Sequence, residues 1–456
     1  MQVSQFFDSE LLKKYNTSGP RYTSYPTALE FHQQFDHQDL IDAVTQSPNR
    51  DLSLYVHIPF CHSLCYYCGC NKVVTRHRDK ADTYLEYLAQ EIASRAPLFT
   101  EYTVKQLHWG GGTPSFLTHA QITQLVKLLK EKFNFAEQVE MSIEIDPREI
   151  ELDLADHLYS LGFNRISIGV QDIDQKVQQS INRVQSTDFI EQFIQHAKAV
   201  GFKSINVDLI YGLPHQTIET FTRTLNKVHE MDVDRISLFS YAHLPSRFAA
   251  QRKLRDEWLP SVNEKFALMK LAIETLCNFG YDFIGMDHFA KPNDELSIAQ
   301  RNGTLHRNFQ GYTTQGDCDL LGLGVSSISS IGNCFSQNIK ELKSYYQAIE
   351  QQQHAQEKGV SMSTDDIIRG EVIRELMCNL YLDKVDINDK YQIDFDHYFA
   401  KDLPLLKTFI DDGLLENTQA YIRVDQKARL LIRIICMSFD AYMKQHVNQQ
   451  RFSRVI

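Results

Sequence analysis

The chain has 456 residues, 43% of them hydrophobic, so it can bury one large core and a smaller one. Its formal charge of −11 argues against a nucleic-acid partner, whose phosphates require a basic surface. No run of about 18 apolar residues predicts a membrane span, and the N-terminal residues lack the basic and apolar segments of a signal peptide. Nine cysteines in a chain without an export signal indicate reduced thiols, which predicts a cytoplasmic protein.

Residues 1–50 have little strand character, and we interpret them as an N-terminal extension. Within it, the two prolines of Pro20–Thr27 favour an extended backbone. Arg21, Tyr22 and Tyr25 in this motif are suited to reach into a binding pocket. An arm packed on the surface explains the same residues equally well, so both interpretations stay open.

The segment Ser53–Phe60 is an apolar run with aromatic and β-branched residues, which predicts a buried strand. Four cysteines follow it at the spacing C-x3-C-x2-C-x-C. Disulfides are typical of small secreted domains, and structural zinc usually takes its ligands from two separated pairs, which this chain lacks. Iron–sulfur ligation therefore explains the spacing best. The four residues are Cys61, Cys65, Cys68 and Cys70.

The number of cysteines in this loop predicts an incompletely ligated cluster. A cubane of four irons takes four thiolates when protein alone binds it. Cys61, Cys65 and Cys68 can bind one cubane within a short loop, which leaves one iron for a small molecule. Cys70, two residues further on, is expected to point away from the cluster. We expect Cys70 to act in turnover, because an idle thiol beside iron is prone to oxidation.

From Asp51 onward, strand-like runs alternate with helix-like segments. Six such units predict a parallel sheet curled into an open, partial (β/α)6 barrel of the TIM type. The predicted strands begin at Ser53, Gln106, Val139, Arg165, Ile205 and Arg235, and the predicted helices span residues 78–99, 120–133, 152–161, 189–200 and 218–228.

The carboxyl ends of these strands predict the position of the active site, because parallel barrels place their chemistry there. The first polar or glycine residues after each run fall at these ends, and we expect them to converge on one rim. They are the cysteine loop, Gly110–Thr113, Glu144, Gln171, Asp208 and Ala242.

Each rim residue also has an ordinary structural explanation. Glycines end strands in many folds, but after a cluster loop the N–H groups of Gly110–Gly112 can hold the amino-acid end of a ligand. Glu144 can be a solvated carboxylate, or it can pair with an ammonium group. Asp208 lies in an apolar run, where an unpaired charge is costly, so we expect it to hold a partner such as a ribose hydroxyl.

The periodicity changes after Pro260, and a helical domain begins near Ser363. Its end is typical of a winged helix, with predicted helices at residues 403–411 and 428–442 and a hairpin through Tyr421. The acidic charge argues against DNA binding, so we expect a lid or a wall of the substrate site. We therefore predict an extension that contributes to the active site, a barrel domain and a mainly helical, winged-helix-like C-terminal domain, with the boundaries 1–50, 51–360 and 361–456.

These motifs resemble the radical S-adenosylmethionine (SAM) enzymes and, among them, the oxygen-independent coproporphyrinogen III oxidases of haem biosynthesis. The resemblance extends over nearly the whole chain. The matching segments are Pro20–Thr27, Tyr55–Cys61, Cys68–Asn71, His108–Pro114, His306–Asp317 and Phe452–Ile456.

The resemblance implies a [4Fe–4S] cluster on Cys61, Cys65 and Cys68, together with two molecules of SAM. Tyr55, Gly111 and Glu144 would hold the SAM that binds the cluster. The residues around the second SAM would be Tyr67, Gly112, Thr113, Gln171, Arg183, Asp208, Ala242 and Ile328. The catalytic residues would be Cys70, Glu144, Phe309 and Gln310.

The implied reaction is the oxidative decarboxylation of two propionates of coproporphyrinogen III to vinyl groups, which gives protoporphyrinogen IX. A 5′-deoxyadenosyl radical would take a hydrogen from the propionate β-carbon, and loss of carbon dioxide and one electron would form the double bond. Arg21, Arg183 and Arg307 are candidates to bind the four carboxylates of the substrate. We expect a monomer that receives electrons from a donor such as a flavodoxin-type protein.

Two other functions stay open. One is a haem-binding chaperone of the same family, although such relatives characteristically lack the long leader and the cysteine at position 70, and both are present here. The other is a radical SAM haem methyltransferase, whose substrate-side motifs fit this chain less well.

Overall fold

A computed structural model describes residues 9–15, 17–352 and 354–443. They form two compact units, one from residues 31–269 and 317–361, the other from the described parts of 1–30, 270–316 and 362–456. The units are interleaved along the chain, whereas the predicted domains follow one another. The predicted domain boundaries and their roles stay a prediction. The matching segment Phe452–Ile456 and the first eight residues lie outside the described residues.

The strands are short in most of the chain and longest in the predicted barrel. In chain order they are β1 (Asp51–Ile58), β2 (Phe60–Cys61), β3 (Val73–Val74), β4 (Thr103–Gly111), β5 (Asn134–Ile145), β6 (Arg165–Gln171), β7 (Ser204–Tyr211), β8 (Arg235–Ser240), β9 (Asp282–Gly285), β10 (His288–Ala290), β11 (His306–Asn308), β12 (Gly311–Thr313), β13 (Asp319–Leu323), β14 (Ile328–Ile331), β15 (Cys334–Asn338), β16 (Gln356–Ser361), β17 (Tyr381–Asp383), β18 (Leu415–Asn417) and β19 (Tyr421–Val424).

The α-helices alternate with the barrel strands and then dominate the C-terminal part. They are α1 (Ser9–Lys14), α2 (His37–Gln46), α3 (Asp79–Arg95), α4 (His119–Lys132), α5 (Asp153–Ser160), α6 (Gln175–Ser180), α7 (Thr187–Val200), α8 (Ile218–Glu230), α9 (Val262–Asn278), α10 (Glu295–Arg301), α11 (Leu342–Gln352), α12 (Thr364–Asn379), α13 (Lys384–Tyr391), α14 (Phe395–Tyr398), α15 (Lys407–Asp411) and α16 (Ile432–Cys436). None of the helices in these ranges is long and apolar enough to cross a membrane.

The larger unit contains the predicted parallel barrel. Its strands follow the order β16-β15-β14-β13-β1-β4-β5-β6-β7-β8. The pairs from β1 and β4 through to β7 and β8 are all parallel, and β13 also pairs with β1 in parallel. The predicted fold class, an open partial (β/α)6 barrel followed by a mainly helical C-terminal part, is confirmed.

Alternate residues of the barrel strands form the apolar core. Leu54 on β1, Trp109 on β4 and Ile143 on β5 are fully buried. Leu88 of α3 and Leu129 of α4 are buried on the helices. Burying one such side chain contributes about 1.5–3 kcal/mol. The period of two along each strand therefore sends the intervening residues to the barrel interior.

The interior of the barrel is polar. At its base, Ser53 Oγ donates to Gln106 Oε1 at 2.8 Å, and Gln106 Nε2 donates to Glu140 Oε1 at 2.9 Å. Arg165 Nε lies 3.3 Å from the other oxygen of Glu140. This row of two hydrogen bonds and one ion pair crosses four strands and pairs the charges of Glu140 and Arg165, so the space above it is free to hold polar ligands.

The smaller unit is built from short elements. β9 pairs with β10, β11 pairs with β12, and a three-stranded sheet has the order β17-β19-β18. The predicted helix at residues 428–442 is wrong in its extent, because only α16 is α-helical there and 3₁₀ turns flank it. Residues 431–436 are all buried and have no exposed face, so tertiary packing, rather than the amphipathic pattern of a long helix, decides the path of this segment.

The proline-rich motif of the N-terminal extension packs within the smaller unit. Tyr22 and Tyr25 are buried, and their hydroxyls bond to Asp440 Oδ2 and to the Ala441 N–H, each at 2.9 Å. Arg21 forms an ion pair with Asp287. The contribution of this extension to catalysis stays a prediction.

Candidate active site

The cysteine loop begins where β1 ends at the rim of the barrel. Cys61 pairs in register with Val74 across β2 and β3, and the Thr75 N–H donates to the Cys61 carbonyl at 2.9 Å. Cys61 and Cys65 are buried, Cys68 is half-buried and Cys70 is exposed. The loop therefore turns its first cysteines into the barrel mouth and leaves the last one accessible.

Hydrogen-bond donors approach two of the predicted ligand sulfurs. Thr113 Oγ1 donates to Cys61 Sγ at 3.3 Å. Arg183 Nη1 and Arg148 Nη2 each lie 3.4 Å from Cys65 Sγ. Donors of this kind stabilise thiolates, the form in which cysteine binds iron. Sequence reasoning identified Thr113 and Arg183 but missed Arg148.

Asp146 holds both of these arginines. Arg148 Nε lies 2.9 Å from Asp146 Oδ1, and Arg183 Nη1 lies 3.1 Å from Asp146 Oδ2. Burial by itself would raise the pKa of Asp146, but Arg183 and Arg148 outweigh it and lower that pKa to about 2. Asp146 was also missed, although its place directly after β5, followed by Pro147, is the position where rim residues were expected.

Cys70 stays close to Cys68. The Cys70 N–H donates to Cys68 Sγ at 3.4 Å, and Lys72 Nζ bonds to the carbonyls of Cys68 at 3.1 Å and Cys70 at 3.4 Å. The hydrogen bond from the Cys70 side chain and, to a smaller degree, the charge of Lys72 outweigh burial and lower the pKa of Cys68 to about 6. The structure thus favours the thiolate at Cys68, while the roles of both cysteines stay predictions.

The cysteines of the loop fit an iron–sulfur cluster. Within the described ranges, no group of three or more His, Cys, Asp or Glu side chains is arranged to hold one metal ion. The ligands of a cubane bind separate irons and therefore lie further apart than the ligands of one ion. Cys61, Cys65 and Cys68 influence one another electrostatically, and Thr113 and the two arginines donate to their sulfurs, so the residues present fit a [4Fe–4S] cluster.

The glycine run at the end of β4 lies against Glu144. The Gly111 N–H donates to Glu144 Oε2 at 3.2 Å, and His108 Nε2 lies 3.5 Å from Glu144 Oε1. A Cβ at Gly111 would come within 2.7 Å of the His57 ring, and Gly111 has a φ of +117°, so only glycine fits. The Glu144 side chain is 43% exposed, which leaves the carboxylate accessible to a ligand.

Tyr55 lies beside this carboxylate. Its ring stacks on His108 at 5.9 Å, and its hydroxyl lies 3.1 Å from His57 Nδ1. His57 Nε2 is in turn 3.2 Å from the Asn71 carbonyl. Burial raises the pKa of Tyr55, so its hydroxyl keeps its proton and can donate to a ligand.

Asp208 is held by neutral partners. Asn206 Nδ2 donates to it at 2.8 Å and Ser167 Oγ at 3.3 Å. Burial and the nearby Glu144 raise its pKa to about 6. Hydrogen bonds therefore stabilise the Asp208 carboxylate in place of the cation that a buried charge would otherwise require. The expected contact of Asp208 with a ribose hydroxyl stays a prediction.

The remaining rim residues surround the cysteine loop. Gln171 is buried with a φ of +65°, and Arg183 Nη2 donates to the Gly169 carbonyl at 2.6 Å. Gln251, which sequence reasoning missed, is only 2% exposed. Its Nε2 donates to the carbonyl of Tyr67 at 2.9 Å and to that of Ala242 at 3.2 Å, so it joins the loop to the end of β8.

Ile328 lies at the start of β14, after a turn that a buried network holds. Glu91 accepts the Gly324 N–H at 2.8 Å. Tyr84, which is fully buried, donates to the His57 carbonyl at 2.6 Å and accepts from the Val325 N–H at 3.1 Å. The sequence analysis did not predict a role for Glu91 or Tyr84 in the site, because both lie within the predicted helix at residues 78–99.

Phe309 and Gln310 lie in the turn between β11 and β12 of the smaller unit. The Gln310 N–H bonds to Asn308 Oδ1 at 2.9 Å, whereas Gln310 Nε2 is buried without a hydrogen-bond partner among the described residues. On β11, Arg307 Nε and Nη1 likewise have no such partner, and the guanidinium lies 4.7 Å from the Tyr312 ring centre. This hairpin therefore contains nitrogen donors that make no hydrogen bond with the described residues.

Comparisons with known proteins agree with this geometry. Residues 55–228 match the Radical SAM superfamily and residues 362–431 match the HemN C-terminal domain. The chain is 56% identical to the oxygen-independent coproporphyrinogen III oxidase of Escherichia coli (strain K12), over all of both chains. It is 46% identical to the protein of that name from Synechocystis, over 99% of this chain and 98% of the relative.

A solved structure gives the same result. It is described as coproporphyrinogen III oxidase (HemN) from Escherichia coli, a radical SAM enzyme, and it superposes with a TM-score of 0.93 at 55% identity, over 96% of this chain and 100% of that one. The predicted family and the predicted radical SAM cofactors, a [4Fe–4S] cluster and SAM, are confirmed. The chain belongs to the oxygen-independent coproporphyrinogen III oxidase family of radical SAM enzymes.

Proposed function

We propose that this chain converts two propionate side chains of coproporphyrinogen III to vinyl groups without oxygen and so gives protoporphyrinogen IX. The main support is the barrel rim, where hydrogen-bond donors reach the sulfurs of Cys61 and Cys65. The chain is also 56% identical to a protein named oxygen-independent coproporphyrinogen III oxidase. The whole-length match favours this enzyme over the haem-binding chaperone and the haem methyltransferase.

We propose Cys61, Cys65 and Cys68 as the protein ligands of the [4Fe–4S] cluster. When bound, the cluster and SAM supply the 5′-deoxyadenosyl radical that takes a hydrogen atom from the propionate β-carbon. Thr113, Arg148 and Arg183 would stabilise the negative charge on the sulfurs through the hydrogen bonds described above. The carboxylate of each propionate would then leave as carbon dioxide, the two remaining side-chain carbons would form the vinyl group, and one electron per vinyl group would pass to a one-electron acceptor.

The first SAM is proposed to bind at Tyr55, Gly111 and Glu144. Its ammonium group would pair with the accessible Glu144 carboxylate, which accepts the Gly111 N–H. A charge-assisted hydrogen bond of this kind contributes about 1.5–3 kcal/mol. The protonated Tyr55 hydroxyl would add a further donor.

A second SAM is proposed to bind further along the same rim. The support is the continuity of polar groups from the cysteine loop to β8, which Gln251 joins through backbone carbonyls. The proposed contacts are Tyr67, Gly112, Thr113, Gln171, Arg183, Asp208, Ala242 and Ile328.

The substrate carries four carboxylates, so an acidic chain must offer it local cations. Of the arginines proposed from the sequence, Arg21 is paired with Asp287 and Arg183 with Asp146. Two nitrogens of Arg307, Nε and Nη1, have no hydrogen-bond partner among the described residues, and neither has the amide nitrogen of Gln310. We therefore favour Arg307 as a propionate-binding residue, with Gln310 and Phe309 beside it in the sequence.

The partners and the compartment are proposed on the same basis. An enzyme of this family needs one electron for each radical it forms, which a flavodoxin-type protein can donate. We also propose a monomer located in the cytoplasm, where the nine cysteines of the chain stay reduced.

An anaerobic assay tests the proposed function. Reconstituted protein receives coproporphyrinogen III, SAM, a reductant and a one-electron acceptor, and the expected products are carbon dioxide and protoporphyrinogen IX in a 2:1 ratio, as the proposed reaction requires. Omission of SAM is the control and should abolish both products. Tight haem binding without any product would replace this proposal with the chaperone function.

A further inference from the structure

A basic segment lies directly beside the proposed cluster in an otherwise acidic chain. The whole sequence has 58 acidic and 47 basic residues. In contrast, residues 72–80 contain Lys72, Arg76, Arg78 and Lys80, and Asp79 is the one acidic residue among them. A local charge opposite to the net charge of the protein creates a field that can select and orient a charged partner.

Backbone pairing ties this segment to the first proposed ligand. β3 lies within it and aligns Val74 with Cys61, and the Thr75 N–H donates to the Cys61 carbonyl at 2.9 Å. Arg78 Nη2 lies 3.5 Å from Nε2 of His62, the residue that directly follows Cys61. The surface formed by residues 72–80 therefore lies against the cysteine loop.

The cations of this segment do not stabilise the fold through ion pairs. Arg76, Arg78 and Lys80 are exposed, and none forms an ion pair with an acidic side chain of the described residues. Arg78 and Lys80 lie at the N-terminus of α3, where the helix dipole disfavours positive charge, and Arg78 makes no capping hydrogen bond. Val74, which lies between Lys72 and Arg76 in the sequence, is 43% exposed and provides an apolar contact point.

A second basic segment contacts the cysteine loop at Tyr66 and Tyr67. Arg247, Arg252, Lys253 and Arg255 are exposed within residues 247–255. Lys253 Nζ lies 5.1 Å from the Tyr66 ring centre. The same segment contains Gln251, which bonds to the loop backbone. Both segments that contact the cysteine loop therefore carry exposed cations.

We propose that residues 72–80, together with residues 247–255, form the docking surface for a small acidic one-electron carrier protein of the flavodoxin type. The inference rests on the proposed function, because it requires a reducible cluster on the cysteine loop. Opposite charges at such a surface accelerate association by roughly 10- to 1000-fold, and salt weakens the effect. A nucleic acid is disfavoured as the partner, because the rest of the chain would repel a long polyanion.

The test variant is Arg76→Glu/Arg78→Glu/Lys80→Glu in the full-length protein. The matched control is Lys127→Glu/Lys132→Glu/Lys203→Glu, which changes the net charge equally and alters exposed residues on α4 and before the N-terminal end of β7. Stopped-flow absorbance follows the reduction of the reconstituted cluster by reduced flavodoxin. Photoreduced 5-deazariboflavin, which has no net charge, is the small-molecule reductant.

We expect the second-order rate constant with flavodoxin to fall by about tenfold or more in the test variant at low salt. The difference should shrink as ionic strength rises, and the control variant should change by less than about threefold. Reduction by deazariboflavin should be the same in all three proteins. Equal flavodoxin rates in the test variant and the wild type, or an equal loss in the control variant, would overturn the docking surface.

Direct binding gives a readout that does not depend on turnover. Biolayer interferometry with immobilised oxidised flavodoxin should show at least about tenfold weaker binding of the test variant at low salt. Wild-type protein that binds flavodoxin but forms no product would contradict the proposed function and leave the docking surface standing. Binding of a 20-nucleotide oligomer at this surface in place of flavodoxin would overturn the docking proposal.

A neutral variant is the control for misfolding caused by the introduced negative charges. Arg76→Gln/Arg78→Gln/Lys80→Gln adds no negative charge at the start of α3 and should show an intermediate loss of flavodoxin binding. A neutral variant with wild-type binding, or one that loses iron, would count against a purely electrostatic docking role.

Discussion

Asp146 and Arg183 form a buried ion pair whose arginine also contacts a proposed cluster ligand. Arg183 Nη1 lies 3.1 Å from Asp146 Oδ2 and 3.4 Å from Cys65 Sγ. The carboxylate therefore fixes the donor that faces the sulfur, and it does the same for Arg148. This arrangement makes Asp146 a positioning residue of the cysteine loop.

Asp146→Asn tests this arrangement. The substitution leaves two buried guanidiniums without their counter-ion, so the free energy of unfolding of the cluster-free protein should fall by about 3 kcal/mol at pH 7. The folded pKa of about 2 lies below the ordinary 3.8, so the stabilisation is complete above about pH 4 and is lost as the pH falls towards 2. Urea unfolding measures it, and Asp156→Asn, an exposed carboxylate beside His196, should cost less than about 0.5 kcal/mol. Equal effects of the two variants would contradict the prediction.

Asp172 should show the opposite pH dependence. It is fully buried, and burial raises its pKa from 3.8 to about 6, although Gln216 and Thr224 donate to it. The folded state therefore binds the proton more tightly, and the wild type loses roughly 2–3 kcal/mol of stability from this group as the pH rises from about 4 to above 6. Asp172→Asn removes this loss, so its stability relative to the wild type should improve by that amount between pH 4 and pH 7. A pH-independent difference in urea unfolding would exclude this prediction.

Cys70→Ser should separate cluster binding from turnover. Cys70 is exposed and touches the proposed ligand Cys68 through its backbone, so we expect normal iron content and a normal cluster spectrum. Product formation in the anaerobic assay should fall by about 100-fold or more. Cys277→Ser, at a half-buried cysteine of α9, is the control and should retain activity. Loss of iron in Cys70→Ser would identify it as a ligand, and full activity would make it a bystander.

Glu144→Gln should weaken the binding of SAM. The loss of a charge-assisted hydrogen bond corresponds to roughly ten- to one-hundredfold in the KM for SAM, with the cluster retained. Deoxyadenosine formation at sub-saturating SAM, with iron content measured in parallel, provides the check. Glu137→Gln, an exposed residue of the same strand, should leave the KM unchanged. A wild-type KM in Glu144→Gln would disprove the proposed ammonium contact.

Arg307→Ala should affect the tetrapyrrole and leave SAM binding unchanged. If its unused N–H groups bind a propionate, the KM for coproporphyrinogen III should rise by roughly ten- to one-hundredfold, while deoxyadenosine formation without substrate is unchanged. Arg301→Ala removes an exposed arginine that pairs with Asp282 and is the matched control. An unchanged KM in Arg307→Ala would leave Arg307 without a role in binding.

Local sequence was sufficient for the features that depend on short spacing. The cysteines of one loop, the glycines at the end of β4 and the alternation of strands with helices α3 to α8 depend only on residues near one another in the chain. The parallel order of the barrel strands then followed from the short, right-handed connections that such units permit. Glu144 and Asp208 were found in the same way, because each lies near a strand end.

Only the tertiary structure showed which side chains hold the site in place. Arg148 contacts Cys65, more than eighty positions earlier, and Gln251 reaches Tyr67 over a separation of 184 residues. The direction of a polar side chain depends on the packing of distant elements, which local periodicity does not encode. The same reason explains why only α16 is α-helical within the long helix predicted at residues 428–442. There, Arg433 contacts a distant segment and donates to the Pro20 carbonyl at 2.8 Å.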